Sequence, residues 1–285
     1  MSTGPTPKPP VSLPSAVRAF DRTAPRFDER FGEWRSVAAQ RRAVRRHLLR
    51  IFRPGARLLE LGAGTGDDAL FMLARGYDVV LTDGSPRMVE QATAKLRRAG
   101  YGDRVRVEQV VLERLDAFAE RARERGLAPF DGVYSNFAAL NCVTDLSPLA
   151  APLARLLQPG AACGLVVFGP CSIGEIVVEL IRGNPKAALR RFRRGPVPAR
   201  LGGEHFTVHY PSPRAVARSL SPYFELCSIR GVGILVPPSA AEPWISRFPR
   251  IVAALEAADR LLTSPLALLA DHVLVHLERT EHPAP

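Results

Sequence analysis

The sequence predicts an α/β fold, a doubly wound, largely parallel sheet with helices on both faces. Two observations carry the prediction. From residue 57 onward short apolar segments alternate with amphipathic helical segments, and a glycine-rich turn joins the first strand to its helix. With 285 residues and 46% hydrophobic content, the chain is long enough to enclose a substantial core.

The N-terminal region precedes this alternation. Residues 1–14 are rich in proline, threonine and glycine and lack the apolar middle of a secretory signal, so we expect a disordered leader and a cytoplasmic protein. Residues 15–53 carry two helical patterns, a shorter one over about 16–31 and a longer basic one over 35–52. The prediction is a single domain over 15–285 that begins with these helices.

The elements of the alternating region follow in order. Strands are expected at 57–61, 77–82, 104–110, 130–137 and 161–169, with helices at about 67–75, 86–99 and 148–157. The last of these strands, AACGLVVFG, is apolar throughout, which is typical of a strand that is covered on both faces.

Two insertions interrupt the pattern after the fifth strand. The first, at about 171–204, has the pattern of two short helices followed by a basic linker rich in proline and glycine. The segments HFTVHY, SPRAVARSLSPYF and FELCSIRGVGILV then predict a strand, a helix and a strand. The second insertion, at about 234–270, contains a helix around 245–262, and DHVLVHLER predicts a closing strand.

The composition bounds the function. A formal net charge of +11 is typical of nucleic-acid binding. Only three of the 39 basic residues are lysine, however, and a GC-rich genome produces that preference for arginine whatever the function, so nucleic acid is not the predicted partner. No apolar run approaches the roughly 20 residues of a membrane-spanning helix. The scattered cysteines predict neither a disulfide framework nor a metal site.

The strongest motif is LLELGAGTGDDAL, in which Gly62, Gly64 and Gly66 fall at alternate positions between a strand and a helix. Glycines allow positive φ and leave the main chain bare, so a ligand can approach the backbone and the N-terminus of the next helix. About twenty residues on, Asp83 ends the second strand, where a carboxylate can accept both hydroxyls of a ribose. Together these features predict a nucleotide-like ligand.

This pattern resembles the class I S-adenosylmethionine-dependent methyltransferases, whose first motif is an acidic residue followed by Gly-x-Gly-x-Gly, here starting at Glu60. DGSPRM at 83–88 resembles the second-strand motif of that family, and RPGARLLELGAG and QPGAACGLVV resemble its approaches to the first and fifth strands. The resemblance covers residues 16–170 well and the remainder in outline. It implies a Rossmann-like sheet of seven strands with the last one antiparallel, and S-adenosyl-L-methionine as cofactor.

Residue by residue, the resemblance implies how the cofactor is held. Gly62, Ala63 and Gly64 would lie against its methionine part, with Glu60 acting through the loop. Asp83 would hold the ribose, while Gly84 and Met88 would flank the adenine. A nicotinamide dehydrogenase is the near rival, but its Gly-x-Gly-x-x-Gly fingerprint is not matched, since position 67 is aspartate.

One departure concerns the adenine. Many relatives carry an aspartate just after the third strand, and Val111 occupies that position here. The adenine would then be read by backbone N–H groups near Val111 and Leu112, with Glu113 as a displaced substitute. On this alignment Val111→Asp is expected to tighten cofactor binding.

The acceptor should lie near the end of the fourth strand, because ligands of open α/β sheets bind beyond the carboxyl ends of the strands. This segment lacks the Pro-Pro-aromatic turn of enzymes that methylate base amines or glutamine amides. Asn136 and Phe137 are predicted to wall the cofactor pocket. By its resemblance to the lid helix of small-molecule methyltransferases, including quinone-biosynthesis enzymes, Phe27 would close over the cofactor.

The candidate general bases are His205 and His209, four residues apart in an extended segment and therefore on one face. Two polar residues at an exposed strand edge would look the same. The two insertions would form a cap over the acceptor or a contact between copies in a homo-oligomer. Arginines at 190, 191, 193 and 194 would suit a carboxylate or phosphate on the acceptor.

The leading hypothesis is therefore methyl transfer to a partly hydrophobic small molecule, most plausibly at oxygen. One alternative is an RNA methyltransferase, which the positive charge favours and the lack of an appended RNA-binding module opposes. Another is a non-catalytic relative that keeps the cofactor fold as an interaction module.

Overall fold

The computed structural model describes residues 12–102, 104–193 and 195–283. Its main sheet has seven strands in the order β3-β2-β1-β4-β5-β9-β8. In chain order the strands of the protein are β1 Arg57–Leu61, β2 Asp78–Asp83, β3 Arg106–Gln109, β4 Phe130–Ser135, β5 Leu157–Phe168, β6 Val197–Leu201, β7 Glu204–Val208, β8 Phe224–Val232 and β9 His272–Arg279.

The pairing of the strands confirms the predicted fold class. Strand β1 pairs in parallel with β2 on one side and β4 on the other, and the parallel pairs continue to β3 and β5. Strand β9 then runs antiparallel between β5 and β8. The sheet thus has seven strands with the last one in the chain antiparallel.

Helices cover both faces of this sheet. They are α1 Ser15–Thr23, α2 Phe27–Gly32, α3 Arg35–Ile51, α4 Asp67–Leu73, α5 Pro86–Arg98, α6 Leu115–Glu124, α7 Ala150–Leu156, α8 Ile173–Ile181, α9 Pro185–Ala188, α10 Pro213–Leu220 and α11 Pro249–Leu262. One core cluster joins α6, α7 and α10 to the sheet, and the other joins α3, α4 and α5 to its opposite face. Central strands therefore read as apolar runs, because both of their faces are buried.

The N-terminal helical region is more divided than the sequence predicted. The pattern over 16–31 forms α1, a short 3-10 turn from Ala24 to Arg26, and α2. Pro25 lies in this turn. Because proline lacks a backbone N–H and has a fixed φ, it favours an interruption between α1 and α2 over one continuous helix. Of the predicted leader, residues 1–11 lie outside the part of the chain that the structure describes.

The first insertion also differs from its prediction. The segment expected to be a linker contains β6, which pairs antiparallel with β7 in a separate two-stranded sheet. HFTVHY therefore forms a strand, but not one of the main sheet. This hairpin packs on α1 through Phe206 and Phe20, whose ring centroids are 6.2 Å apart, and through Glu204, which pairs with Arg22 at 2.8 Å.

In the second insertion, α11 begins at Pro249 after a 3-10 turn from Ile245 to Arg247, so the expected helix over 245–262 forms in its C-terminal part. None of the helices in the described ranges has the length and apolar character needed to cross a membrane.

Candidate functional site

The glycine turn between β1 and α4 forms the floor of the site. Gly62 and Gly64 have φ of +65° and +55°, a region that residues with a Cβ seldom adopt. A Cβ on Gly62 would lie 2.4 Å from the Cβ of Ala139, whereas one on Gly64 would meet nothing within 4 Å. The turn therefore needs glycine for close packing at the first position and leaves open space over the backbone at the second.

Asp83, at the end of β2, is fixed against this turn. Its Oδ2 accepts from the backbone N–H of Gly64 at 2.8 Å, and its Oδ1 accepts from that of Ser85 at 2.8 Å. Burial raises the pKa of this carboxyl, and the two N–H donors oppose that rise. The side chain is thus held in one orientation while each oxygen retains a further lone pair.

We call the first cavity above the turn the apolar cleft; it has about 740 Å³ of empty space, part of it open to solvent. Its walls come from the N-terminal helices, the glycine turn and the loops after β2, β3 and β4. They are Pro14, Ala16, Val17, Phe20, Phe27, Gly62, Gly64, Asp83, Gly84, Met88, Val110, Leu112, Glu113, Phe137, Ala139, Cys142 and Val143.

The N-terminal helices cover the site and are anchored by two carboxylates. Asp21 of α1 accepts from the Ser85 hydroxyl at 2.8 Å and from the Arg87 N–H at 2.9 Å, at the start of α5. Asp28 of α2 accepts from the Thr65 hydroxyl at 2.6 Å and pairs with Lys95 at 2.7 Å. These contacts hold the aromatic ring of Phe27 over the glycine turn.

We call the second cavity the charged cleft; it has about 370 Å³ of empty space and adjoins the first. It is lined by Phe27, Arg41, Glu60, Gly62, Ala63, Gly64, Thr65, Asp67, Asp68, Asn136 and Phe137. Phe27, Phe137, Gly62 and Gly64 belong to both lists and so mark the boundary between the two clefts.

Ion pairs from α3 shape the charged cleft. Arg41 pairs with Asp67 at 2.5 Å, and Arg45 pairs with Asp68 at 2.6 Å. Asn136 donates from Nδ2 to Asp68 at 2.7 Å. Two buried atoms here have no hydrogen-bond partner in the described part of the chain, the Nε of Arg41 and the Oδ1 of Asn136. A spare donor and a spare acceptor are therefore available to a ligand that carries both signs of charge.

Glu60 lies at the back of the charged cleft. Its Oε2 accepts from the hydroxyl of Tyr134 at 3.0 Å. Burial, together with the neighbouring Asp68, raises the pKa of this carboxyl well above its usual value. Glu60 is thus a buried carboxyl that ties the end of β1 to β4 through Tyr134.

The loop after β4 has a strained backbone. Phe137 and Ala138 have φ of +46° and +72°, the only non-glycine residues of the described ranges with positive φ. The Phe137 ring is held by the Arg41 guanidinium at 5.6 Å and by an edge contact with His272 at 5.2 Å. Backbone strain of this kind is concentrated at functional sites.

Most of the residues proposed from the sequence line the two clefts. Those in one or both are Phe27, Glu60, Gly62, Ala63, Gly64, Asp83, Gly84, Met88, Leu112, Asn136 and Phe137. Gly66 lines neither cleft: a Cβ there would lie 3.3 Å from Ala92 and Leu81, so this glycine allows α4 to pack closely. Their roles toward the cofactor stay predictions.

Val111 also lines neither cleft, whereas Val110, Leu112 and Glu113 line the apolar one. The chain turns here because the N–H of Val110 bonds to the carbonyl of Asp83 and a 3-10 turn begins at Leu112. Glu113, rather than Val111, therefore brings a side chain to the wall near the end of β3.

The two histidines do not share a face as the spacing predicted. His205 is exposed on β7 opposite Arg200, and the strand ends at Val208, before His209. The backbone of His209 instead pairs with Asn141, which accepts its N–H at 2.7 Å and donates to its carbonyl at 2.6 Å. Neither histidine lines the apolar or the charged cleft, so their predicted role as base stays untested.

His209 lines a further cavity that we call the third cleft, with about 680 Å³ of empty space. Its walls include Leu140, Val143, Thr144, Asp145, Arg193, Gly195, His209 and Tyr210. Val143 also lines the apolar cleft, so the two cavities adjoin at this side chain. The Nε2 of His209 is buried without a hydrogen-bond partner in the described ranges.

The arginines expected to face an acceptor divide between two roles. Arg191 is buried and pairs at 2.5 Å with both Glu175 and Asp271, and Arg190 pairs with Glu175 at 2.5 Å. These ion pairs join the first insertion to the start of β9. Arg190 and Arg191 are therefore not free to bind a carboxylate or phosphate of the acceptor in the way that was predicted. Arg193 lines the third cleft, and Arg194 lies outside the described residues.

Sequence reasoning missed the charged side chains of the second cleft. In the sequence Arg41 and Arg45 belong to a basic helical pattern that genome composition explains, and Asp67 and Asp68 predict only the start of a helix. The available signal was the position of the two aspartates directly after Gly66, at a helix N-terminus that already stabilises negative charge. Two acids placed there need nearby cations from another element.

The fold and site define a class of enzyme that binds a nucleoside-containing cofactor at the glycine turn of a seven-stranded sheet. Residues 59–163 match the model of a methyltransferase domain. The chain is 30% identical over 220 residues to the malonyl-acyl-carrier-protein O-methyltransferase of Halorhodospira halophila, an alignment that covers 71% of this chain and 68% of that protein. The chain belongs to the S-adenosylmethionine-dependent methyltransferases.

Two further comparisons concern substrate and fold. The tRNA 5-carboxymethoxyuridine methyltransferase of Escherichia coli is 25% identical over 128 residues, 45% of each chain. The crystal structure of the 1,6-didemethyltoxoflavin N1-methyltransferase of Burkholderia thailandensis, which has S-adenosylhomocysteine bound, superposes with a TM-score of 0.52 at 20% identity. That alignment covers 96% of this chain and 93% of the other. Similarity at this level establishes the shared fold.

Proposed function

We propose that the protein transfers the methyl group of S-adenosylmethionine to an oxygen of a carboxylate, carried on an acyl group such as malonyl. The observation that carries this proposal concerns the base: among the described residues of the apolar and charged clefts there is no histidine, lysine or tyrosine. Burial raises the pKa of the Cys142 thiol to about 12. An acceptor that is already ionised at neutral pH needs no base.

Four of the five carboxylates of the clefts are engaged or buried, and the fifth, Glu113, is exposed at the rim of the apolar cleft. Asp83 accepts two backbone N–H groups, and Asp67 and Asp68 are paired with arginines. Glu60 is buried behind the glycine turn. A phenol or alcohol acceptor would have to find its proton acceptor among these groups, while a carboxylate would not.

The relatives point to the same chemistry. The name of the Halorhodospira protein specifies a malonyl group, and the name of the Escherichia protein specifies a carboxymethoxy group on uridine. Both groups end in a carboxylate. This agreement supports an acceptor defined by its carboxylate rather than by the aromatic or isoprenoid body that the apolar insertions alone would favour.

The residues of the two clefts fit the cofactor. The open backbone at Gly64 leaves room at the boundary between the clefts, and the buried, unpaired Oδ1 of Asn136 is an acceptor suited to an ammonium group. The unpaired Nε of Arg41 is a donor suited to a carboxylate. On this assignment Asp83 holds the ribose hydroxyls, and Gly84, Met88, Leu112 and Glu113 surround the adenine.

The bound cofactor supplies an electrophilic methyl carbon on a sulfonium. The protein's own residues then orient the two reactants and exclude water, which is the main requirement of an in-line displacement. Phe27 and Phe137, which mark the boundary of the two clefts, provide apolar walls there. Since an aromatic face also attracts a cation, these rings suit a positively charged centre between them.

The test is an acceptor panel with mass detection. The protein and S-adenosylmethionine are incubated with malonyl-pantetheine, acetyl-pantetheine, a phenol and transfer RNA that carries 5-carboxymethoxyuridine. The expected result is a gain of one methyl group on malonyl-pantetheine that mild alkali removes, with none on acetyl-pantetheine. A kcat independent of pH between 6 and 8 is expected as well, because no proton has to be removed.

Methylation of the phenol with a rate that rises with pH would contradict the proposal. Methylation of transfer RNA instead would favour the second candidate, an RNA methyltransferase, which the net charge of +11 and the Escherichia relative support. Cofactor binding without turnover on any acceptor would favour the remaining hypothesis, a non-catalytic relative that serves as an interaction module.

A further inference from the structure

The first insertion presents an apolar surface to solvent. On α8 the exposed apolar residues recur along one stripe, and the stripe continues onto the segment after α9. The exposed members are Ile173, Val177, Leu180, Ile181, Leu189 and Phe192, with exposed fractions from 41% to 81%. We call these residues, with the charged ones described next, the cap surface. An apolar stripe of this extent on a folded domain marks an interaction site.

The exposed charges of the cap surface are all positive in the described part of this segment. Arg182 and Arg190 are 49% and 47% exposed, and Lys186 and Arg193 are exposed as well. The acidic residues of the same segment are less exposed and pair with two of these arginines: Glu179, 13% exposed, pairs with Arg182 at 3.2 Å, and Glu175, 3% exposed, pairs with Arg190 at 2.5 Å. The surface keeps a net positive charge through the exposed Lys186 and Arg193. The surface therefore complements a partner that is both acidic and apolar.

The cap surface ends at the third cleft. Phe192 belongs to the surface and the next residue, Arg193, lines the cleft. At its other side the cleft adjoins the apolar cleft through Val143. The lining of the third cleft includes His209, whose buried Nε2 has no hydrogen-bond partner in the described ranges, a polar group that an amide in a threaded chain would satisfy.

We propose that the cap surface docks an acidic acyl carrier protein, whose prosthetic arm enters the third cleft and brings its acyl group to the site. This inference rests on the proposed function and names the form in which the acceptor is delivered. The partner matches by charge, since the exposed charges here are cationic, and by shape, since an apolar helical stripe fits the face of another amphipathic helix. An anionic membrane would match the same charges but would leave the third cleft without a role.

The experiment compares one acyl group on two carriers. In the variant Arg182→Glu/Lys186→Glu two exposed cations of the cap surface are reversed. In the control variant, Arg121→Glu/Arg123→Glu, two exposed cations of α6 are reversed, so the change of net charge is equal. Each protein is assayed with malonyl-acyl-carrier protein and with malonyl-pantetheine, which has the arm without the protein.

The cap variant is expected to lose roughly 10- to 30-fold in kcat/KM on the malonyl-carrier protein, chiefly through KM, because two attractive charges become repulsive. Activity on malonyl-pantetheine should stay within about twofold of wild type, and the control should be unchanged on both substrates. A cap variant with wild-type kinetics on the carrier, or an equal loss on both substrates, overturns the inference.

Binding of fluorescein-labelled apo carrier protein, followed by anisotropy, separates this inference from the proposed function. If wild type methylates neither malonyl substrate, the proposed function fails, yet binding that only the cap variant loses still supports the docking surface. No binding by wild type overturns it. A cap variant that loses retention on phosphatidylglycerol vesicles, or dimerisation in gel filtration, while carrier binding persists also overturns it, in favour of a membrane or a second copy.

Discussion

The two clefts that meet at Phe27 and Phe137 are built in different ways. The apolar cleft is walled by backbone and hydrocarbon, with Asp83 held by two main-chain N–H groups. The charged cleft is built from side chains on separate elements, Arg41 and Arg45 on α3 against Asp67 and Asp68 on α4. The first depends on the shape of one turn, whereas the second depends on how two helices are brought together.

This difference separates two kinds of sensitivity. A cleft made of backbone is damaged by adding atoms, since nothing in it can move aside. A cleft made of ion pairs is damaged by removing a charge, because the partner remains buried and uncompensated. The following substitutions test these two expectations.

The largest effect is expected for Gly64→Val. The side chain would enter the open space above the turn, so cofactor affinity should fall on the order of 100-fold, measured by calorimetry with S-adenosylhomocysteine. Gly76→Val is the matched control, because Gly76 also has positive φ, +83°, and nothing within 4 Å of its Cβ position, but lies outside both clefts. An equal loss of affinity in both variants would attribute the effect to backbone strain.

The second prediction concerns His272, which packs behind the wall that the clefts share. Burial lowers its pKa from 6.5 to about 4, so between these values the unfolded chain binds more protons than the folded one. Stability is therefore full above pH 6.5 and falls as the pH drops to 4, by about 3 kcal/mol from this group. Urea unfolding of His272→Gln should lose that part of the pH dependence, and His205→Gln, at an exposed position, should retain it.

The charged cleft is tested by Arg41→Met. Removing the cation leaves Asp67 paired with Lys95 alone and takes away the spare donor offered to the ligand, so KM for the cofactor should rise about tenfold with a smaller change in kcat. Arg42→Met is the control, since this neighbour pairs with Glu256 on α11 at 2.6 Å, away from the cleft. An unchanged KM in Arg41→Met would show that this arginine does not bind the cofactor.

The smallest effect is expected for Glu113→Gln at the rim of the apolar cleft. Since the side chain is exposed, the loss of cofactor affinity should be about threefold. Val111→Asp, which the sequence predicted to tighten binding, should have no comparable effect, because Val111 does not line the cleft. Tighter binding by Val111→Asp would restore the original alignment.

The apolar cleft and the charged cleft also differ in how much of each could be predicted from the sequence. The strands, their parallel order and the glycine turn could be predicted because apolar runs, spacing and glycine are local signals. Asp83 was predicted from its distance along the chain from the turn, whereas Gly84 and Met88 were predicted from the resemblance of DGSPRM to the family motif. The sequence thereby named nine of the seventeen residues that line the apolar cleft.

The charged cleft and the insertions could not be predicted because their contacts are distant in sequence. Arg41 meets Asp67 across 26 residues and Arg191 meets Asp271 across 80. In a chain with 39 basic residues, no composition signal separates these buried arginines from exposed ones. The β6–β7 hairpin was missed for a different reason: its signal, Gly202-Gly203 between the two paired strands, is local, but the prolines and glycines around it were interpreted as a linker.

Helix α1 has a consequence for the order of events during turnover. It rests on α5 through Asp21 at one side and on the β6–β7 hairpin through Glu204 at the other. A spent donor that leaves beneath α1 must therefore loosen a helix that is also bonded to the first insertion. If the first insertion covers the acceptor, as the sequence predicts, departure of the old donor and rearrangement around the acceptor would both move α1, and their rates would rise and fall together.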